Sequence, residues 1–267
     1  MKLVLMWFRR DLRLADNAAL YHALQQARNI GGRCVCFFCF DREMLDRLED
    51  PDDPRVEFIW QSVRELDAGL RRLGSGLVVR HGPARQEVAR LVRQLQPRGL
   101  VAVHAAGDFD LESTERDREV AAFCREAGVD FLTHKDHVVF ERNEVLTAAG
   151  RPHQVYTPYR AAWFRKLEEH PDFYLKSYPV PGKYAGFLAG KKQLPPSDAW
   201  ESLGNLKFRK SKIRVQAGEK TALVLWREFQ NRINRYDKIR DIPALDGTSR
   251  LSVHLRFGTI SVRQVAA

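Results

Sequence analysis

In residues 1–133, short apolar runs alternate with segments of helical spacing, and this alternation restricts the fold more than any other feature. Lys2–Phe8 (KLVLMWF), Arg33–Phe40, Leu77–Val79, Leu100–Val103 and Val129–Thr133 read as five strands. Between them, Asn17–Arg28, Arg55–Leu73, Ala84–Leu95 and Ser113–Ala127 read as helices. In Arg55–Leu73, Phe58, Ser62, Leu66 and Leu70 fall on one stripe flanked by Ile59, Val63 and Leu73, and Gly74-Ser75-Gly76 ends the segment. Strands separated by single helices predict βαβ units: an α/β fold with a doubly wound, five-stranded parallel sheet. Such sheets bind ligands outside the carboxyl ends of their strands. Here those ends are Trp7–Arg13, Asp41–Glu43, His81–Pro83 and His104–Asp110. The glycine fingerprint of a dinucleotide site is absent after the first strand, which argues against a site of that type.

Charge divides the chain. Residues 1–130 carry 20 Lys+Arg and 21 Asp+Glu, whereas residues 131–267 carry 24 and 13. The whole excess of +10 therefore lies in the second half. It is either an anion-binding surface, with nucleic acid the leading partner, or a solvated basic face. Cys34, Cys36 and Cys39 lie in the apolar run CVCFFCF, with Cys34 and Cys36 on one face of the strand and Cys39 on the other. They read as buried structural thiols. No histidine spacing suggests a metal, so no metal site is assigned. The amino terminus resembles no secretory signal and no apolar run spans a bilayer, so a cytoplasmic monomer without membrane association is expected.

The alternation stops near residue 134. Pro152, Pro158, Pro171, Pro179, Pro181, Pro195 and Pro196 argue against long regular elements, and residues 134–212 read as a connector packed on two domains. Helical periodicity returns in EKTALVLWREFQNRINRYDKI from Glu219. The expected domains are 1–133, 134–212 and 213–267.

Four segments, in order, carry a family resemblance: WFRRDLRLADNAAL (Trp7–Leu20), YTPYRAAW (Tyr156–Trp163), GEKTAL (Gly218–Leu223) and YDKIRDIPALDGTSRLSVHLRFGTISVRQ (Tyr236–Gln264). They resemble the DNA photolyase/cryptochrome family. The stretch RVEFIWQSVRELDAGLRRLGSGLVVRHG is closest to bacterial class I cyclobutane-dimer photolyases. The resemblance implies a Rossmann-like antenna domain, a long connector and the start of an all-α FAD-binding domain, with electron-relay tryptophans and the rest of the pocket beyond residue 267. It implies light-driven repair, in which reduced FAD donates an electron to a pyrimidine dimer extruded from DNA. FAD is the implied cofactor and dimer-containing DNA the implied partner. Weak FAD retention and little repair are expected of this polypeptide alone. A cryptochrome-like photosensor and a non-catalytic nucleotide-binding module are the alternatives.

In DGTSRLS, hydroxyls of Thr248, Ser249 and Ser252 precede an apolar run, beside the cation of Arg250. The residues alone suit either a helix cap or a diphosphate at a helix start. The resemblance assigns Tyr236, Thr248, Ser249, Arg250, Leu251 and Ser252 to FAD, and Arg240 to the damaged DNA strand. No catalytic residue is assigned. A second, light-harvesting chromophore is expected of the family. In its folate-binding members an Asn-Glu pair stands where this chain has Glu112 and Ser113, which argues against folate and leaves a deazaflavin, another flavin or no antenna chromophore open. Asp11 and Arg13 are expected to dock two domains through salt bridges, and Tyr156, Thr157, Pro158 and Trp163 to pack.

Overall fold

Five parallel strands form the sheet in the order β3-β2-β1-β4-β5. The computed structural model describes residues 1–267. The elements are β1 (Leu3–Phe8), α1 (Ala18–Asn29), β2 (Arg33–Asp41), α2 (Arg42–Leu45), α3 (Pro54–Arg72), β3 (Leu77–Gly82), α4 (Ala84–Leu95), β4 (Leu100–Ala106), α5 (Leu111–Glu126) and β5 (Asp130–His134). Local signals set the helix starts. Asn17 accepts from the Leu20 N–H at 2.8 Å, Asp53 caps α3 with Pro54 behind it, and Asp110 caps α5. Gly74, at φ +82°, supplies the left-handed turn beyond α3.

The central strand β1 pairs with β2 on one side and β4 on the other, and it is buried on both faces. Val4, Met6 and Phe8 meet Leu20, Leu24, Val63 and Leu70 of α1 and α3. Leu3, Leu5 and Trp7 meet Val88, Leu91 and Leu95 of α4 and Cys124 of α5. The sheet is thus doubly wound, and the chain order reverses between β1 and β4. Cys34 and Cys36 join the first core layer and Cys39 the second, as the strand period requires.

The connector departs from expectation. It contains a 14-residue helix, α6 (Tyr156–Glu169), followed by α7 (Pro171–Tyr174). Pro158 is the third helical residue, where an N–H would have no partner inside the helix, so the proline removes no bond. Tyr156, Thr157 and Pro158 are exposed rather than packed, and only Trp163 packs, against Phe140 at 5.3 Å. Further on, Val180, Tyr184, Leu188, Trp200, Leu203, Leu206 and Phe208 complete the first core layer. The Ala189 N–H donates to the Cys34 carbonyl at 2.8 Å, alongside the part of β2 that precedes its pairing with β3.

The C-terminal region holds α8 (Glu219–Gln230), α9 (Tyr236–Ile239), α10 (Ser252–Arg256) and α11 (Val262–Ala266). The periodic stretch from Glu219 is broken after Gln230, where Asn231 and Asn234 bring two poor helix formers. Val224, Ile233, Ile242 and Leu245 are exposed, whereas Phe229, Leu251 and Ile260 are buried. No helix is long and apolar enough to cross a membrane.

Candidate functional site

The loop after β1 organises the contacts between the sheet and the C-terminal region. Arg13 donates to both Asp136 carboxylate oxygens at 2.8 Å and to the Gly258 carbonyl at 2.9 Å. Arg263 reaches the Asp16 carboxylate at 3.2 Å and Asp136 at 3.0 Å, and its guanidinium lies 4.9 Å from the Tyr178 ring. Burial would push the Asp136 carboxyl up, but Arg13 and Arg263 together pull it down to about 2. Arg13 therefore docks as expected. Asp11 does not: it forms no ion pair, accepting instead from the Arg9 N–H at 2.7 Å and the Asn17 amide at 3.1 Å. Burial, then the neighbouring Asp136, pushes its carboxyl up to about 6. The sequence reading missed Asp16, Asp136 and Arg263. It also missed Glu219, whose carboxylate accepts the Leu14 and Ala15 N–H groups at 3.0 Å. No local pattern marks partners that lie more than a hundred residues apart in the chain.

At the switch point between β1 and β4, charged groups pair with one another. Arg9 meets Asp117 at 2.5 Å, and Arg10 pairs with Asp108 and Asp110. The Arg9 and Arg116 guanidiniums lie 4.9 and 5.0 Å from the Trp7 ring. Glu112 pairs with Arg47 at 2.8 Å, and the Ser113 N–H is taken by Asp110. His104 Nδ1 and His134 Nε2 are 2.8 Å apart, and the His22 ring stacks on His134. No group of three or more His, Cys, Asp or Glu side chains has the geometry to hold a metal ion.

Of the remaining assigned residues, Tyr236 and Arg240 stand at the two ends of α9, and the others follow in the turn that leads into α10. Gly247 packs so closely on the Ile239 backbone that a Cβ there would meet the Ile239 carbonyl carbon at 2.8 Å. This contact lays the 246–250 turn against α9. Tyr236 is at the start of α9, its ring 5.6 Å from Phe229. The Arg240 guanidinium lies 5.7 Å from the Tyr236 ring and pairs with Asp241. Tyr236, Arg240, Thr248 and Ser252 are exposed and Ser249 is half-buried. Leu251 is buried. Arg250 has a left-handed backbone, φ +55°, and its side chain pairs with Asp246 at 3.0 Å rather than standing free.

The donors present suit a diphosphate. The first residue of α10 is Ser252, and its cap residue, Leu251, offers no side-chain hydrogen bond. The Ser249 hydroxyl accepts the Leu251 N–H at 3.4 Å, just ahead of the helix. Thr248 and Ser252 are exposed, and the Thr248 contact to the protein is through its carbonyl. Arg232, which reaches the Thr248 carbonyl and Asp246, keeps a buried Nε–H without a partner. Exposed hydroxyls, an unpaired guanidinium N–H and the start of a helix form an anion-binding donor set. A cavity of about 640 Å³ lies elsewhere, between α3 and the connector, lined by Trp60, Arg64, Glu201 and Lys210 among others.

Residues 4–178 match the family model described as DNA photolyase. A deoxyribodipyrimidine photo-lyase of Halobacterium salinarum is 33% identical over 98% of this chain and 53% of its own length. The chain spans about half the length of the first curated relatives it matches. Among solved structures, a bacterial class III photolyase from Agrobacterium tumefaciens superposes with a TM-score of 0.77 at 26% identity, over 99% of this chain and 52% of that one. An archaeal photolyase from Sulfolobus tokodaii, solved with two FAD molecules, gives 0.69 at 26% identity over 98% of this chain and 54% of that one. With the family model matching well over half of the residues, the chain belongs to the DNA photolyase family.

Proposed function

We propose that this chain forms the α/β and flavin-entry part of a light-driven deoxyribodipyrimidine photo-lyase that acts on cyclobutane pyrimidine dimers in DNA. The observation that supports the reading is the close approach of Gly247 to the Ile239 backbone, which sets the turn leading to Thr248 beside α9, the short helix between Tyr236 and Arg240. It is supported by alignment of nearly the whole chain with a relative named for that activity. Residues 1–133 are taken as the antenna domain, 134–212 as the connector and 213–267 as the entry to the flavin domain.

When bound, reduced FAD would supply on illumination the electron that opens the cyclobutane ring and would recover it once the ring has split, so the cycle is redox-neutral. The Thr248, Ser249 and Ser252 hydroxyls and the first N–H groups of α10 hold its diphosphate, and the Arg232 Nε–H adds a charged donor. Tyr236 contributes ring surface beside Phe229. Arg240 binds a phosphate of the damaged strand, and its weak exposed pairing with Asp241 gives way readily. Arg250, already paired with Asp246, orients the turn. A second chromophore, a deazaflavin or another flavin, would lie in the antenna domain, as the archaeal relative solved with two FAD molecules suggests.

The test compares binding of an ultraviolet-irradiated and an untreated oligonucleotide duplex across a salt series. The proposal expects preference for the irradiated duplex, and a weaker, flatter salt dependence for Arg240→Gln. Equal affinity for both duplexes, unaffected by the substitution, would contradict it.

A further inference from the structure

We propose that Arg13, Asp16, Asp136 and Arg263 form a positioning lock that fixes the Thr248–Ser252 stretch against the sheet, and that flavin affinity depends on it. The proposal rests on the flavin reading of that stretch. Thr248, Arg250 and Ser252 are exposed, and α10 has five residues, far too few to hold its own shape. The contact of Gly247 with α9 sets only the preceding turn, so the placement of α10 against the sheet comes from the chain that follows. His254 is buried, 5.2 Å from the Phe58 ring and 2.7 Å from the Thr259 hydroxyl. The Phe257 carbonyl accepts the Leu12 N–H at 3.2 Å and the Gly258 carbonyl accepts Arg13 at 2.9 Å. The Ser261 hydroxyl then donates to Asp16, and Arg263 closes the set.

The four side chains come from three separate parts of the chain: the loop after β1, the segment after β5, and α11. All are at most 6% exposed. Two guanidiniums face two carboxylates, so the group is neutral only while complete. Removing one member strands a buried charge, which costs far more than the intact pairs contribute. Arg13 and Arg263 also both donate to the Asp16 carbonyl, at 2.7 and 2.6 Å. They thereby hold Asp16 at φ +48°, a strained conformation for a residue with a side chain. None of the four belongs to either layer of the sheet core. Loosening them should therefore free the C-terminal segment while leaving the sheet folded. These residues touch no flavin-contacting group, so they act by placing α10.

The experiment combines hydrogen exchange with FAD titration, read by flavin fluorescence, on the unaltered chain, Arg263→Gln, Arg263→Lys and the exposed control Gln264→Ala. Arg263→Gln should accelerate exchange in residues 251–267 while β1 and β4 stay protected, and should raise the FAD dissociation constant on the order of tenfold. Arg263→Lys keeps the charge but loses the planar fork, and should fall between. It also serves if Arg263→Gln does not fold. Gln264→Ala should match the unaltered chain. Unchanged FAD affinity in Arg263→Gln, or loss of β1 protection together with the C-terminal segment, overturns the lock. An unaltered chain that binds no FAD, with selective exchange still seen in Arg263→Gln, overturns the flavin reading and leaves the structural lock standing.

Discussion

Gly258→Ala should weaken the docking of α10 and α11 by roughly 3–4 kcal/mol. Gly258 has φ +63°, and a Cβ there would lie 2.7 Å from both the Arg10 carbonyl carbon and the Asp11 Cα. Both are backbone atoms, so no side-chain rotation relieves the clash. The left-handed conformation alone costs about 1–2 kcal/mol for an alanine. Moving the chains apart also disturbs the Leu12–Phe257 and Arg13–Gly258 bonds, each worth about 1 kcal/mol or somewhat more. Native-state exchange at the Leu12 amide, with urea unfolding followed by two probes, measures the loss. The Leu12 amide should lose protection by a factor of at least about 100, since each 1.4 kcal/mol is tenfold. A loss below about 1 kcal/mol would refute the close approach and with it the docking geometry.

Asp136→Asn strands Arg13 and Arg263 and should cost about 3–5 kcal/mol in thermal or urea unfolding; a loss under 1 kcal/mol would deny the network its structural weight. Stability should also fall in mild acid. Burial, with like charge from neighbouring histidines, holds His104 at about 3 and His134 at about 4, and burial holds His254 at about 4. The unfolded imidazoles, near 6.5, take protons that the folded chain refuses, so stability is full above about pH 6.5 and declines toward pH 4. An equal urea midpoint at pH 7 and pH 4.5 would contradict this. Burial pushes the Cys39 and Cys124 thiols up, and all four cysteines are buried and unpaired. A thiol reagent should therefore label none of them in the native chain and four in urea.

Much of the fold was legible because its signals are local. The apolar run KLVLMWF marked β1, the stripe of Phe58, Ser62, Leu66 and Leu70 marked α3, and Gly74 and Gly76 marked its end, whereas the caps at Asp53 and Asp110 were not read. The connector helix was obscured because a proline in a first turn reads like a breaker, although it removes no hydrogen bond there. The turn at Thr248–Ser252 was visible as a cluster of hydroxyls, but its anchorage was not. Asp16, Asp136 and Arg263 are ordinary charged residues in the sequence, and they acquire meaning only once residues 120 or more positions apart meet. Asp11 shows the reverse: its place beside two arginines suggested a salt bridge, but folding turned it toward the Arg9 N–H and Asn17.

The central claim is that Thr248–Ser252, at the start of α10, binds the diphosphate of a flavin. Titrating FAD into the unaltered chain and into the Thr248→Val, Ser252→Ala double variant tests it most directly. The account predicts saturable one-to-one binding, weak because these residues stand on an open face, and a further loss of about 1–3 kcal/mol in the variant as two hydroxyl donors disappear. No saturable binding, or equal affinity of the two proteins, would contradict it.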